Sequence, residues 1–185
     1  MQNQVNKQKI WDPFLRSFHW LLALCFGIAY YLEGSELVLH SHLGYCVGLL
    51  LLFRLMWGFI GPEHARFFGF APNSRELLAH LRDLSRPHSG HDPLGALMIF
   101  ALLLTLTVLV VTGIIMFALE GRGPMPSYWV SGIEGSLVEE VHSLSAEIAF
   151  WLVVLHIIGV LIMSGLTKSN LVLAMLTGNK RETPQ

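Results

Sequence analysis

The stretch His142-Ser-Leu-Ser-Ala-Glu-Ile-Ala-Phe-Trp-Leu-Val-Val-Leu-His156 decides how this chain is read, because it sets two imidazoles in one apolar run. In an α-helix, fourteen steps of ~100° stop roughly 40° short of four full turns, and at 1.5 Å per residue they rise about 21 Å. His142 and His156 therefore share a helix face at two depths. A ligating or ionisable side chain is costly inside a bilayer, so a histidine there is a functional hypothesis by default. The competing reading is a core imidazole bonded to a neighbouring backbone carbonyl, and the pairing of two histidines on one face argues against it. Each requires a partner from another helix, and the candidates at matching depths are His19 and either His40 or His42. The pattern predicts two hemes held toward opposite sides of one membrane.

Composition agrees. With 185 residues, 53% hydrophobic and 14% charged, and a mean hydropathy of +0.55, the chain departs from soluble domains toward the membrane class. A single membrane domain over 1–185 is expected. The formal charge of −1 gives no reason to expect nucleic acid as a partner. Cys25 and Cys46 each lie inside an apolar run far from another thiol, which suggests buried core residues and neither a disulfide nor a zinc site. No C-x-x-C-H occurs, so heme would be held by axial ligands without thioether attachment.

A hydrocarbon core about 30 Å thick requires ~20 apolar residues per helix. Four segments meet that length, near 14–32, 38–60, 94–119 and 138–166, so the expected fold class is an all-α integral membrane four-helix bundle. Asp92 followed by Pro93 offers the third span a cap and a favourable first turn. No cleavage pattern precedes Glu33, so the first apolar run is expected to remain as an anchor. Lys7, Lys9 and Arg16, then Arg66, Arg75, Arg82 and Arg86, then Lys168, Lys180 and Arg181 fall on one side, with Arg122 alone in an opposite connection. The positive-inside rule makes that basic side, with both termini, cytoplasmic. Within the 61–93 connection, Leu77, Leu78, Leu81 and Leu84 alternate with charges over 73–85, as an amphipathic surface helix would. The segment Leu171, Val172, Met175, Leu176 looks similar, and 120–137, with Pro124, Pro126, Tyr128 and Trp129, is expected to form an outer cap.

Two helical positions turn about 200°, so His40 and His42 cannot serve one face. A flat macrocycle lying on a helix needs small residues beside its ligand. His40, Gly44 and Gly48 form such a stripe, as do His19, Ala23 and Gly27, while Ser145, Ala146 and Ala149 follow His142. Close helix packing through small residues would also account for these stripes, though not for each beginning at a histidine. Arg54 lies fourteen residues after His40 and needs an anion if it points inward; heme propionates would serve, with Arg16 assisting by bidentate contact. Snorkelling toward headgroups is the plainer alternative. His64, His80, His88 and His91 read as solvated loop residues, and Glu134, Glu139 and Glu140 as an outer solvated face. Glu147, one and a half turns into the fourth helix, is expected as a buried carboxylate on a proton route or beside a quinone.

Together these residues resemble the bacterial cytochrome b561 and nickel-hydrogenase b-type cytochrome family. The likeness runs through Trp11-Asp-Pro, Arg16-Ser-Phe-His19-Trp20, His40-x-x-x-Gly44 with Arg54, and Gly61-Pro-Glu-His64-Ala-Arg66-Phe67. It continues through Gly90-His-Asp-Pro-Leu-Gly-Ala-Leu, His142, His156, Lys168-x-x-Leu171 and Ala174-Met-Leu-Thr-Gly178. The resemblance implies two noncovalent b-type hemes, each with two histidine ligands, and favours His40 over His42 because the family ligand precedes the glycine by four positions. By depth, His19 with His156 would hold the inner heme and His40 with His142 the outer one. It also implies a multi-pass protein of the bacterial inner membrane. Its partners would be lipid, the quinone pool, and a hydrogenase or c-type cytochrome. The alternatives are a self-contained superoxide:quinone oxidoreductase, and a histidine-lined transporter that the absence of paired charged half-helices disfavours.

Overall fold

A computed structural model describes residues 7–9, 12–62, 65–69, 93–167 and 169–181. The amphipathic segment expected at 73–85, the four loop histidines and the Asp92 cap lie outside the described residues. Four long helices carry the fold: α1 (Pro13–Tyr31), α2 (Leu37–Ile60), α3 (Pro93–Leu119) and α4 (Gly135–Leu166). All four are long and apolar enough to cross a membrane. Their apolar residues point outward as well as inward. Leu49 and Leu104 are 69% and 68% exposed, which water would penalise and lipid tails do not. At 32 residues, α4 measures roughly 48 Å, longer than the ~30 Å hydrocarbon core, so its charged first turns with Glu139 and Glu140 can stand outside it.

Helix boundaries follow local chemistry. Asp12 accepts the Leu15 backbone N–H at 2.9 Å and caps α1, satisfying one of the donors that a helix start leaves open. Helix α3 starts on Pro93, where a missing N–H costs nothing. It ends in a Schellman turn: Gly121 donates to the Ala118 carbonyl, Arg122 to that of Phe117, and Gly121 takes φ of 71°, a conformation that a Cβ would strain. The outer connection then folds into a 3₁₀ turn over Ser127–Trp129.

A short helix α5 (Leu171–Thr177) follows α4, capped by the Asn170 side chain on the Leu173 N–H, with Val172, Leu173 and Leu176 exposed. Apart from helices, the described residues contain one feature that the sequence did not suggest. Strands β1 (Lys7–Lys9) and β2 (Asn179–Arg181) pair antiparallel, Lys7 opposite Arg181, so segments near the two ends of the chain meet.

The chain divides into two compact units: Met1–Trp20 with Arg54–Ile99 and Val154–Gln185, and Leu21–Phe53 with Phe100–Val153. Each of the four long helices supplies residues to both. In the second unit all four helices meet around Val47, Leu51, Leu106 and Ala149, with Leu22, Cys25, Phe26 and Val110 packed against them. In the first unit, aromatic rings dominate: Phe14 lies 5.1 Å from Trp57, Phe59 5.7 Å from Phe67. A Cβ at Gly58 would collide with the Phe67 ring, so the chain after α2 can fold back against that helix only because Gly58 is bare.

Candidate functional site

Each unit contains one histidine pair. In the first, the rings of His19 (α1) and His156 (α4) face each other with centroids 6.3 Å apart and planes inclined by 53°. In the second, His40 (α2) and His142 (α4) stand 6.2 Å apart at 67°. These separations are too long for a hydrogen bond between the rings and too short for an intervening side chain. A metal–imidazole bond is about 2 Å and the ring centre lies about 1.1 Å behind its nitrogen, so two axial imidazoles on one iron stand roughly 6.2 Å apart. Both pairs match that spacing.

His42 is not in the second pair. Its Nδ1 bonds the Val38 carbonyl of its own helix at 2.6 Å and the side chain is exposed, as the 200° offset from His40 requires. The His40 ring is anchored by Nδ1 on the Ala29 carbonyl at 2.9 Å. A carbonyl can only accept, so Nδ1 carries the proton and Nε2 keeps a free lone pair. Ala29 is available because the Glu33 N–H, its natural helical partner, bonds Tyr30 instead, leaving an end-of-helix acceptor open.

His142 is anchored by a residue that sequence reasoning missed. Its Nδ1 lies 3.0 Å from Thr112 Oγ1 on α3, and that hydroxyl lies 2.8 Å from the Val108 carbonyl. Threonine back-bonding of this kind is common in apolar helices. It spends the single hydroxyl proton and leaves the oxygen to accept from Nδ1–H, again freeing Nε2. Beside it, a Cβ on Gly113 would stand 3.1 Å from His142 Cε1, so the imidazole lies directly over the glycine. The adjacent pair Thr112-Gly113 sets a hydroxyl and a bare backbone side by side in a helix otherwise rich in Leu and Val, but nothing in that pair names His142 as its partner.

The small-residue stripes divide by use. A Cβ on Gly44 or Gly27 would meet no atom within 4 Å, so neither glycine is required by helix packing. Gly48, by contrast, would press on Val110 at 3.0 Å, and Ala149 is wholly buried in the core of its unit. Those positions serve helix packing.

In the first unit Arg54 is 5% exposed, donates to the Ala65 carbonyl at 3.1 Å and lies 4.6 Å over the Phe67 ring. Its aromatic and backbone partners hold the cation in place, and the Asp12 carboxylate is close enough to act on its charge. Among the described residues, Arg16 has a buried Nε with no hydrogen-bond partner, and so has His19 at Nδ1. Orphaned donors next to a histidine pair fit a site made for an anionic group. Glu147 corrects an expectation. It is exposed and lines a shallow hollow with Tyr30, Glu33, Phe150 and Trp151, because five helical steps carry it about 140° from the His142 face.

Probable Ni/Fe-hydrogenase B-type cytochrome subunits of Azotobacter chroococcum mcd 1 and Azotobacter vinelandii are each 26% identical over 197 residues, covering 84% of this chain and 80% of theirs. No solved structure matches the chain. The prokaryotic cytochrome b561 family matches residues 10–178. The chain therefore belongs to the prokaryotic cytochrome b561 family, as a multi-pass membrane protein of electron transfer whose prosthetic group is heme b.

Proposed function

We propose that this protein holds two hemes b, one between His19 and His156 and one between His40 and His142, and conducts electrons between the membrane quinone pool and a periplasmic or membrane-bound redox partner. The observation that carries the reading is the pair of ring separations, 6.3 Å and 6.2 Å, both close to what one iron between two imidazoles demands. When bound, heme supplies reversible one-electron chemistry at iron.

The chain's own residues do the rest. Ala29 and Thr112 orient the imidazoles of one pair, Gly113 lets the His142 ring lie close, and Gly44 leaves width for a macrocycle beside His40. Arg16 and Arg54 offer guanidinium donors to the propionates of the other heme. In each pair the two imidazoles come from different helices, whose packing sets their separation before any cofactor arrives, which keeps reorganisation on electron transfer small.

Orientation follows from the arginine and lysine bias, with both termini and the His19–His156 pair toward the cytoplasm of a bacterial inner membrane. A hydrogenase-like complex is the partner that the names of the relatives favour, with a c-type cytochrome as the other candidate. The quinone branch is tested by mixing the oxidised, heme-loaded protein with a short-chain quinol and following the heme α-band. Reduction that saturates with quinol concentration is expected. Heme that dithionite reduces but quinol leaves oxidised would remove the quinone pool from the account.

A further inference from the structure

The two histidine pairs differ in what stands behind them. Behind His40 is the Ala29 carbonyl, 2.9 Å from Nδ1, and behind His142 the Thr112 hydroxyl oxygen, 3.0 Å from Nδ1. Both contacts draw the Nδ1 proton outward and make the opposite nitrogen a stronger donor to a metal. In the other pair, among the described residues, Nδ1 of His19 is buried with no partner and His156 makes no hydrogen bond. A stronger nitrogen donor stabilises ferric over ferrous iron, so hydrogen bonding behind an axial ligand lowers the reduction potential.

Charge acts in the same direction. Reduction adds negative charge, which neighbouring cations favour and neighbouring carboxylates oppose. Among the described residues, Arg16 and Arg54 belong to the unit of His19 and His156, with Asp12 offsetting part of the Arg54 charge, whereas the unit of His40 and His142 contains Glu33, Glu36, Glu134, Glu139, Glu140 and Glu147. Its Arg122 is already 3.5 Å from Glu120.

We propose that the His40–His142 heme is the low-potential centre of the two, and that Thr112 is the positioning residue that makes it so. This rests on the two-heme reading above. With one electron in the protein, equilibrium then places it at the His19–His156 centre: one ferrous iron is oxidised, one ferric iron is reduced, and no proton or further reactant is needed. Electrons entering at the His40–His142 centre run downhill to the other.

The test is a potentiometric titration of the purified, heme-loaded protein, with the α-band and low-temperature electron paramagnetic resonance as readouts. Two waves are expected in the wild type. Thr112→Val keeps shape and removes the acceptor, and it should raise the lower wave by about a tenfold change in reduction equilibrium constant, about 59 mV for one electron. The upper wave should not move, the ferric g-values of one heme alone should change, and Thr112→Ser should restore both readouts. Independently of Thr112, His156→Ala should abolish the upper wave. Loss of the lower wave in His156→Ala, or a lower wave unmoved by Thr112→Val in a protein with two hemes, would overturn the proposal while leaving the two-heme reading intact. A wild type with a single heme would overturn both.

Discussion

His156→Ala should lose one heme and keep the other. The His19 ring faces His156 at 6.3 Å, and no other described imidazole shares that unit to replace it. If His156 is a ligand, its removal would leave that site one ligand short, and a heme without thioether attachment would have nothing covalent to retain it. The heme-to-protein ratio should fall from two to about one, measured by pyridine hemochrome against protein mass. Four-helix packing in the second unit, around Val47, Leu51, Leu106 and Ala149, does not involve His156, so the remaining heme should keep its spectrum. A variant with both hemes and an unchanged spectrum would remove His156 from the ligand set.

The second large effect separates two histidines only two residues apart. His40→Ala should abolish the other heme, whereas His42→Ala should retain both. His40 faces His142 at 6.2 Å and its ring is held by the Ala29 carbonyl; His42 bonds its own helix and is exposed. Loss of His42 removes one surface contact, with a stability effect of under ~1 kcal/mol. Heme content and a thermal melt of each variant decide the matter. Loss of a heme in His42→Ala with retention in His40→Ala would reverse the assignment.

The spans were legible in the sequence because length and apolarity are set by the membrane and not by partners. Expected starts at 14, 38 and 94 differ by one residue from the observed Pro13, Leu37 and Pro93. The fourth helix begins earlier than expected, at Gly135 and not 138. Hydropathy marks where the hydrocarbon ends, while backbone hydrogen bonding carries the helix on past Glu139 and Glu140. The histidine pairs were legible for a related reason: a fourteen-residue spacing fixes both face and depth on a helix, and antiparallel neighbours supply the matching depths.

What stands behind the histidines was not legible. The Thr112–His142 bond joins residues thirty apart in sequence, and no periodicity in α3 points to it. The Ala29 partner of His40 is a backbone oxygen, which every residue has; only the tightened end of α1 leaves it open. The β1–β2 pairing is likewise a backbone contact between polar ends without strand patterning. Glu147 could have been placed from helix geometry alone, since 140° from His142 leads away from the ligand face. Ala149 could not, because an alanine beside a macrocycle and an alanine in a helix seam leave the same trace in a sequence.

The central claim, two irons each clamped by two imidazoles, meets its most direct test in the heme content and spin state of the purified wild-type protein. Two hemes b per chain, both six-coordinate and low-spin by electron paramagnetic resonance, are the expected result. A colourless protein, a single heme, or a high-spin five-coordinate centre in the intact chain would contradict it.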